Sequence, residues 1–243
     1  MKAIRAVLFD KDGTLIDAFA GWVDINHQVF REFQRRYPHP GRESDLRAAL
    51  GMTGSEALPG GILASGTEEQ IYRAHHRLLG GAAPGWEHFH PEIKALSLEL
   101  FQGSPPGVVA RGRVKQTLAT LRDRGYRLGL ATSDSWFNAS RDLEPHGAEL
   151  LEFWATSDRV THPKPHPESV VRFCEVVGVS PSEVAFVGDS PVDLETARSA
   201  GVGVFFAVRS PTCPAEVLGL ADVVLDTVED LLVHLPATGE GLV

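Results

Sequence analysis

Five short runs, Ile4–Phe9, Arg127–Thr132, Val184–Val187, Val204–Val208 and Val223–Leu225, are rich in aliphatic and β-branched residues, and the later ones are separated by stretches of helical periodicity. Strands that alternate with helices are joined by right-handed crossovers and lie parallel, so helices cover both faces of the sheet and the strands read as apolar throughout. The helical stretches carry their own punctuation. Val114, Leu118 and Leu121 share one face before Gly125, and the segment opened by Pro191 stops at Gly201. The pattern predicts an α/β fold, a Rossmann-like doubly wound parallel sheet, which gathers its ligands at the carboxyl ends of the strands.

Between the first run and the second, the periodicity is that of helices. Trp22, Ile25, Val29 and Phe33 recur every three or four residues up to Pro38, forming a stripe that reads as core. Three shorter helices are expected near Ser44–Leu50, Thr67–Leu79 and Pro91–Phe101, with a capping box between Thr67 and Gln70 and with Pro91 at a first helical position. Gly- and Pro-rich breaks separate them. The expected organisation is an α/β core of residues 1–17 and 105–243, with an all-helical domain of residues 18–104 inserted into it.

Charge and cysteine content narrow the partners. Twenty-three Lys and Arg against 32 Asp and Glu leave a formal charge of −9, which disfavours nucleic acid and anionic lipid. The two cysteines, Cys174 and Cys213, are too few for a disulfide framework and lack metal-binding spacing. Cys174, beside Phe173 and Val176, reads as a small buried residue. No apolar run approaches the length of a membrane span, and Asp10 and Asp12 interrupt the apolar opening before a signal-peptide core forms. A cytoplasmic protein is expected, with no nucleic-acid or membrane partner.

Four polar clusters lie where the runs end or in loops between them: Asp10-Lys11-Asp12-Gly13-Thr14, Thr132-Ser133-Asp134, Lys164-Pro165, and Gly188 to Asp193. In a parallel sheet they converge on one crevice. Asp10, Asp189 and Asp193 there repel one another unless a cation sits among them, and a few hard oxygen ligands suit Mg²⁺. Lys164, the Thr132 hydroxyl and the backbone N–H groups of the Gly13 turn make a cradle for a phosphate. One carboxylate is then placed to attack phosphorus, and a second carboxyl two residues on, Asp12, to protonate the leaving alkoxide.

These residues resemble the haloacid dehalogenase superfamily of hydrolases over essentially the whole chain. Its DxDGT motif matches Asp10 to Thr14, its second motif Thr132, its third Lys164, and its GDxxxD motif Gly188 to Asp193. The resemblance implies Asp10 as nucleophile and Mg²⁺ ligand, and Asp12 as acid/base with its carbonyl on the metal. It also implies Thr132, Ser133 and Lys164 on the phosphate and Asp189 as the other metal ligand, with Thr14 and Asp193 behind them. The FDxDGTLxD opening, the KPxP element and the inserted helices look like phosphoglycolate phosphatases, implying a small phosphorylated metabolite as substrate and a monomer or homodimer. A sugar phosphomutase or other phosphotransferase, and a non-catalytic phosphoacceptor domain, are the alternatives.

Other features are weighed more plainly. Lys11 stands where this superfamily more often has an aliphatic residue. The histidines of the insert, His27, His39, His75, His76, His88 and His90, are expected at the surface. His162 and His166 flank Lys164 in a Pro-rich loop and read first as ordinary histidines, with tuning of a bound phosphate as the alternative. Arg47, Arg73 and the Gly51-Met52-Thr53 segment are candidates for contact with the organic part of a substrate.

Overall fold

The computed structural model describes residues 3–103 and 107–237. By its internal contacts the chain divides into two units, residues 18–108 and the remainder.

The larger unit begins with β1 (Ala6–Phe9), whose side chains are all buried, and β2 (Ile16–Asp17). After the helical unit, which holds β3 (Met52–Thr53) and β4 (Glu56–Ala57), it resumes with β5 (Val109–Ala110), the antiparallel partner of β2. Then follow β6 (Arg127–Ala131), β7 (Phe153–Ala155), β8 (Val184–Gly188), β9 (Val204–Val208) and β10 (Val223–Leu225). Six of these form one parallel sheet in the order β10-β9-β8-β1-β6-β7. The chain leaves β1 towards β6 and β7 on one side and later fills β8, β9 and β10 on the other. The order therefore reverses at β1, which is where a doubly wound sheet opens its crevice.

The sequence reading placed five of these strands; β7 and the β2–β5 ribbon escaped it, the ribbon because two-residue strands carry no periodicity. Gly129 on β6 shows why the sheet takes a helix so closely. A Cβ there would lie 2.8 Å from the Phe173 ring, which comes from helix Glu168–Val177, so only glycine admits that contact without displacement. Phe173 joins Leu8, Phe186 and Phe205 in the buried core of this unit. Cys174 is buried as expected.

The smaller unit is helical apart from the β3–β4 hairpin. Its helices Phe19–Arg36, Glu43–Leu50, Glu68–Leu79 and Trp86–Gly103 bury Phe30, Phe33, Leu46, Leu50, Phe89 and Ile93. The Thr67 cap is as expected, with its hydroxyl accepting from the Gln70 N–H at 3.3 Å and the Gln70 side chain accepting from the Thr67 N–H at 2.8 Å. Pro91 is a correction: it lies inside the last helix rather than at its start. The break that opens this helix is Gly85, so Trp86, Phe89 and Ile93 can all face the core, and the helix accepts one lost backbone hydrogen bond.

Two histidines correct the surface expectation. His75 is 1% exposed and His27 is buried too. His75 Nε2 stands 2.9 Å from Asn26 Oδ1, and the Asn26 amide itself donates to the Trp22 carbonyl at 2.9 Å. Asn26 Oδ1 is thus the acceptor, and His75 is a neutral imidazole with its proton on Nε2. Burial, together with nearby His27, lowers the His75 pKa to about 3. No helix among the described residues is long and apolar enough to cross a membrane.

Candidate active site

The crevice is built from the carboxyl ends of three neighbouring strands. Register pairs Phe9 with Leu130 on one side and with Val187 on the other. Asp10 follows Phe9 directly, and its N–H donates to the Val187 carbonyl at 2.8 Å, which ties it to the switch point. Thr132 lies one residue beyond β6 and Asp189 one beyond β8. The topology thus brings together residues separated by most of the chain.

Carboxylate oxygens of Asp10, Asp189 and Asp193 lie within 4.8 Å of one another. Asp193 is heavily engaged. Its Oδ1 pairs with Lys164 at 2.5 Å, while its Oδ2 accepts from the Ser190 hydroxyl at 2.6 Å and from the N–H groups of Ser190 and Asp189 at 3.1 and 3.3 Å. It is also the third helical residue of Pro191–Ala200, capped by Ser190, so one side chain closes the turn and anchors the lysine. Asp189 Oδ2 accepts from the Ser210 hydroxyl and from Thr212 at 2.8 Å. Lys164 Nζ reaches Asp10 Oδ1 at 2.7 Å, and its neighbouring carboxylates outweigh burial to push its pKa up.

The acids respond in the opposite sense. Burial, then the Asp193 charge, raises the Asp10 pKa to about 6 against the pull of Lys164. Burial and the charges of Asp10 and Asp193 hold Asp189 well above the ordinary carboxylate range. For Asp12 burial raises the pKa to about 7, aided by Asp134, Asp142 and Asp10 and opposed by Lys11. Crowded, buried, oxygen-only donors of this kind match a hard divalent cation, whose charge would relieve the repulsion that raises their pKa values.

The Gly13 turn has a strict geometric basis. Gly13 takes a φ of +80°, and a Cβ there would sit 2.1 Å from Asp189 Oδ2. Asp12 and Thr14 flank it. Among the described residues, the buried Oδ1 of Asp12 and the buried Thr14 hydroxyl have no hydrogen-bond partner. Thr132 is buried, with its hydroxyl accepting from the Asp134 N–H at 3.2 Å. Ser133, half-buried, follows it in the same loop.

Several residues around the site had no role assigned from the sequence. Lys11 is fully buried, its ammonium 2.7 Å from Asp134 Oδ2, 2.9 Å from Asp142 Oδ2 and 3.1 Å from Asp12 Oδ2. These carboxylates outweigh burial and hold the lysine well above its ordinary pKa. Ser210 and Thr212 lie two and four residues beyond β9, in the loop at its carboxyl end, where the rule that found Asp10 and Asp189 points if extended past the first residue. His162 and His166 lie at the surface, packed ring to ring at 4.5 Å, and within 4.8 Å of the Glu168 carboxylate. Glu168 is already bound by the N–H groups of Thr161 and His162 and stands 3.5 Å from Arg172.

Comparison with known proteins places this geometry. The family model of haloacid dehalogenase-like hydrolases matches residues 4–201. A protein named "Probable phosphatase IndB" from Dickeya dadantii is 31% identical over 208 residues, 84% of this chain and 82% of that one. The phosphoglycolate phosphatase of Salmonella typhimurium is 30% identical over 251 residues, covering 98% of this chain and 94% of its own. The crystal structure of a "predicted phosphoglycolate phosphatase" from Haemophilus somnus superposes with a TM-score of 0.74 at 18% identity, over 96% of this chain and 99% of that one. The matched span runs from β1 through the helix that closes on Gly201 and so takes in all four polar clusters: the chain belongs to the haloacid dehalogenase-like hydrolases.

Proposed function

We propose that this hydrolase is a phosphatase that cleaves a small phosphorylated metabolite, phosphoglycolate or a similar phosphate monoester, through an aspartyl-phosphate on Asp10. The observation that carries the reading is the meeting of Asp10, Asp189 and Asp193 with Lys164 at the switch point of the sheet. Relatives named as phosphatases, one of them for phosphoglycolate, support the reaction class and the substrate type.

In this reading a carboxylate oxygen of Asp10 attacks phosphorus and the ester P–O bond breaks. Asp12, whose carboxyl burial holds above the ordinary carboxylate range, gives its proton to the departing alkoxide. A water then attacks the phosphoryl group of Asp10, Asp12 takes the proton from that water, and inorganic phosphate leaves with Asp10 restored. Lys164, Thr132 and Ser133 bind the phosphoryl oxygens, with Lys164 offsetting negative charge as it builds. Asp10, Asp189 and the Asp12 carbonyl would hold Mg²⁺, with Asp193 and Thr14 behind them. Mg²⁺ would neutralise the charge that opposes attack of an anion on an anion.

Residues 18–104 act as the cap in this proposal, setting which organic group is accepted. The test is hydrolysis of p-nitrophenyl phosphate, then of a panel of phosphorylated metabolites that includes phosphoglycolate. Activity with Mg²⁺ that EDTA and Asp10→Asn both abolish supports the reading. Activity indifferent to both overturns it.

A further inference from the structure

Lys11 has no role in the chemistry just described, yet it is one of the largest fully buried side chains of the protein. A lysine without solvent needs compensation, and here three carboxylates surround it. Two of them are fixed from elsewhere. Asp142 is buried on helix Trp136–Leu143, with its Oδ1 held by Arg141 at 2.6 and 2.9 Å and its Oδ2 left for Lys11. Asp134 is pinned through Oδ1, which accepts from the Ser135 N–H at 2.7 Å and the Asn138 amide at 3.0 Å. The Asp134 carbonyl accepts from Ser157 as well. The ammonium is therefore a point set by two rigid anchors.

The third carboxylate is Asp12, whose Oδ2 stands 3.1 Å from the ammonium. Its other oxygen, Oδ1, is buried and has no hydrogen-bond partner among the described residues. A two-rotor side chain held by one oxygen presents the other in a defined direction. General acid catalysis depends on such geometry, because the proton must stand within hydrogen-bond reach of the leaving oxygen. A free Asp12 would sample orientations in which it does not.

We propose that Lys11, fixed by Asp134 and Asp142, is a positioning residue that holds Oδ2 of Asp12 so that Oδ1 faces the leaving group. The inference rests on the phosphatase reading of Asp12. It extends the catalytic apparatus to a helix residue more than a hundred positions away in the sequence. A purely structural lysine would neutralise the same carboxylates without regard to what leaves the phosphorus.

The leaving group separates these roles. p-Nitrophenolate departs without needing a proton, whereas the alkoxide of glycerol phosphate needs one, and kcat/KM reports the steps up to that departure. Wild type, Asp12→Asn, Lys11→Met and Asp142→Asn are compared on both substrates. Lys11→Met is expected to lower the alkyl-to-aryl ratio of kcat/KM at least about tenfold, in the same direction as Asp12→Asn. Asp142→Asn, which keeps the lysine and loosens one anchor, covers the case in which Lys11→Met does not fold, and is expected to shift the ratio the same way by less. Equal losses on both substrates in the variants that fold, with Asp12→Asn still showing the bias, overturn the role of Lys11 alone. Absence of the bias in Asp12→Asn, or a wild type that hydrolyses neither substrate, overturns the phosphatase reading of Asp12 and this proposal with it.

Discussion

Lys164 Nζ and Asp10 Oδ1 stand 2.7 Å apart across 154 residues of chain. The lysine also binds Asp193, so it joins the end of β1 to the start of the helix after β8. With Lys164→Met, two buried carboxylates lose their cation and the phosphoryl oxygens lose a donor. We expect kcat/KM to fall by roughly two to three orders of magnitude, the scale seen when one preorganised transition-state donor is removed. Steady-state kinetics check this, with circular dichroism confirming the fold; activity within a few-fold of wild type would remove Lys164 from the site.

Gly13 serves the site by having no side chain. In Gly13→Ala the new Cβ falls on the Asp189 carboxylate, and the left-handed φ adds about 1 kcal/mol of strain. Asp189 must move, and a displacement of about 1 Å in a catalytic group costs on the order of a hundredfold in rate. Gly178→Ala is the control, since it shares the left-handed φ, at +73°, but meets nothing within 4 Å. It is expected to keep its activity while losing roughly 1 kcal/mol of stability.

Ser210 and Thr212 aim the Asp189 carboxylate by donating to its Oδ2. If Asp189 holds the cation, Ser210→Ala combined with Thr212→Val weakens metal affinity by about ten- to a hundredfold, as loss of partners behind a metal ligand does. Activity titrated against Mg²⁺ after removal of metal with EDTA reads this as a higher half-saturating concentration with a nearly unchanged plateau. An unshifted curve would separate Asp189 from metal binding.

His75 gives the smaller unit a pH dependence of known sign. Its pKa falls from 6.5 to about 3 on folding, so between those values the unfolded chain binds the extra proton. Its contribution is therefore complete above pH 6.5 and is lost progressively as pH falls towards 3. At pH 5 the loss is about 2 kcal/mol. Urea unfolding at pH 7 and pH 5 measures it. His75→Gln keeps a donor for Asn26 and should show a pH dependence smaller by that amount; an unchanged dependence would contradict the assignment.

The strands and the four polar clusters were legible because a parallel sheet marks both in one dimension, with an apolar run followed at once by the residues of its carboxyl end. Asp10, Thr132 and Asp189 are each found at or just past such an end. Asp142 shows the limit of that signal. On the sequence it is one acid beside Arg141 near a helix end, and only the packing of helix Trp136–Leu143 turns it inward to Lys11. His75 is the same case in the smaller unit: it becomes a core residue because Asn26, 49 positions earlier, accepts a hydrogen bond from its Nε2–H. Pro91 was misplaced for a local reason, since a proline tolerated inside a helix looks like one that begins it. Where a residue's environment is built by distant chain, its neighbours in sequence do not announce it.

Transfer of the phosphoryl group to Asp10 is the claim on which the rest depends. The protein is mixed with Mg²⁺ and a phosphate monoester carrying radiolabelled phosphorus, quenched in acid during turnover, digested and mapped. The label is expected on the peptide containing Asp10, to be released by hydroxylamine as inorganic phosphate with a hydroxamate left on the aspartate, and to vanish in Asp10→Asn. Full turnover with no protein-bound label, or label on a different residue that survives Asp10→Asn, would contradict the account.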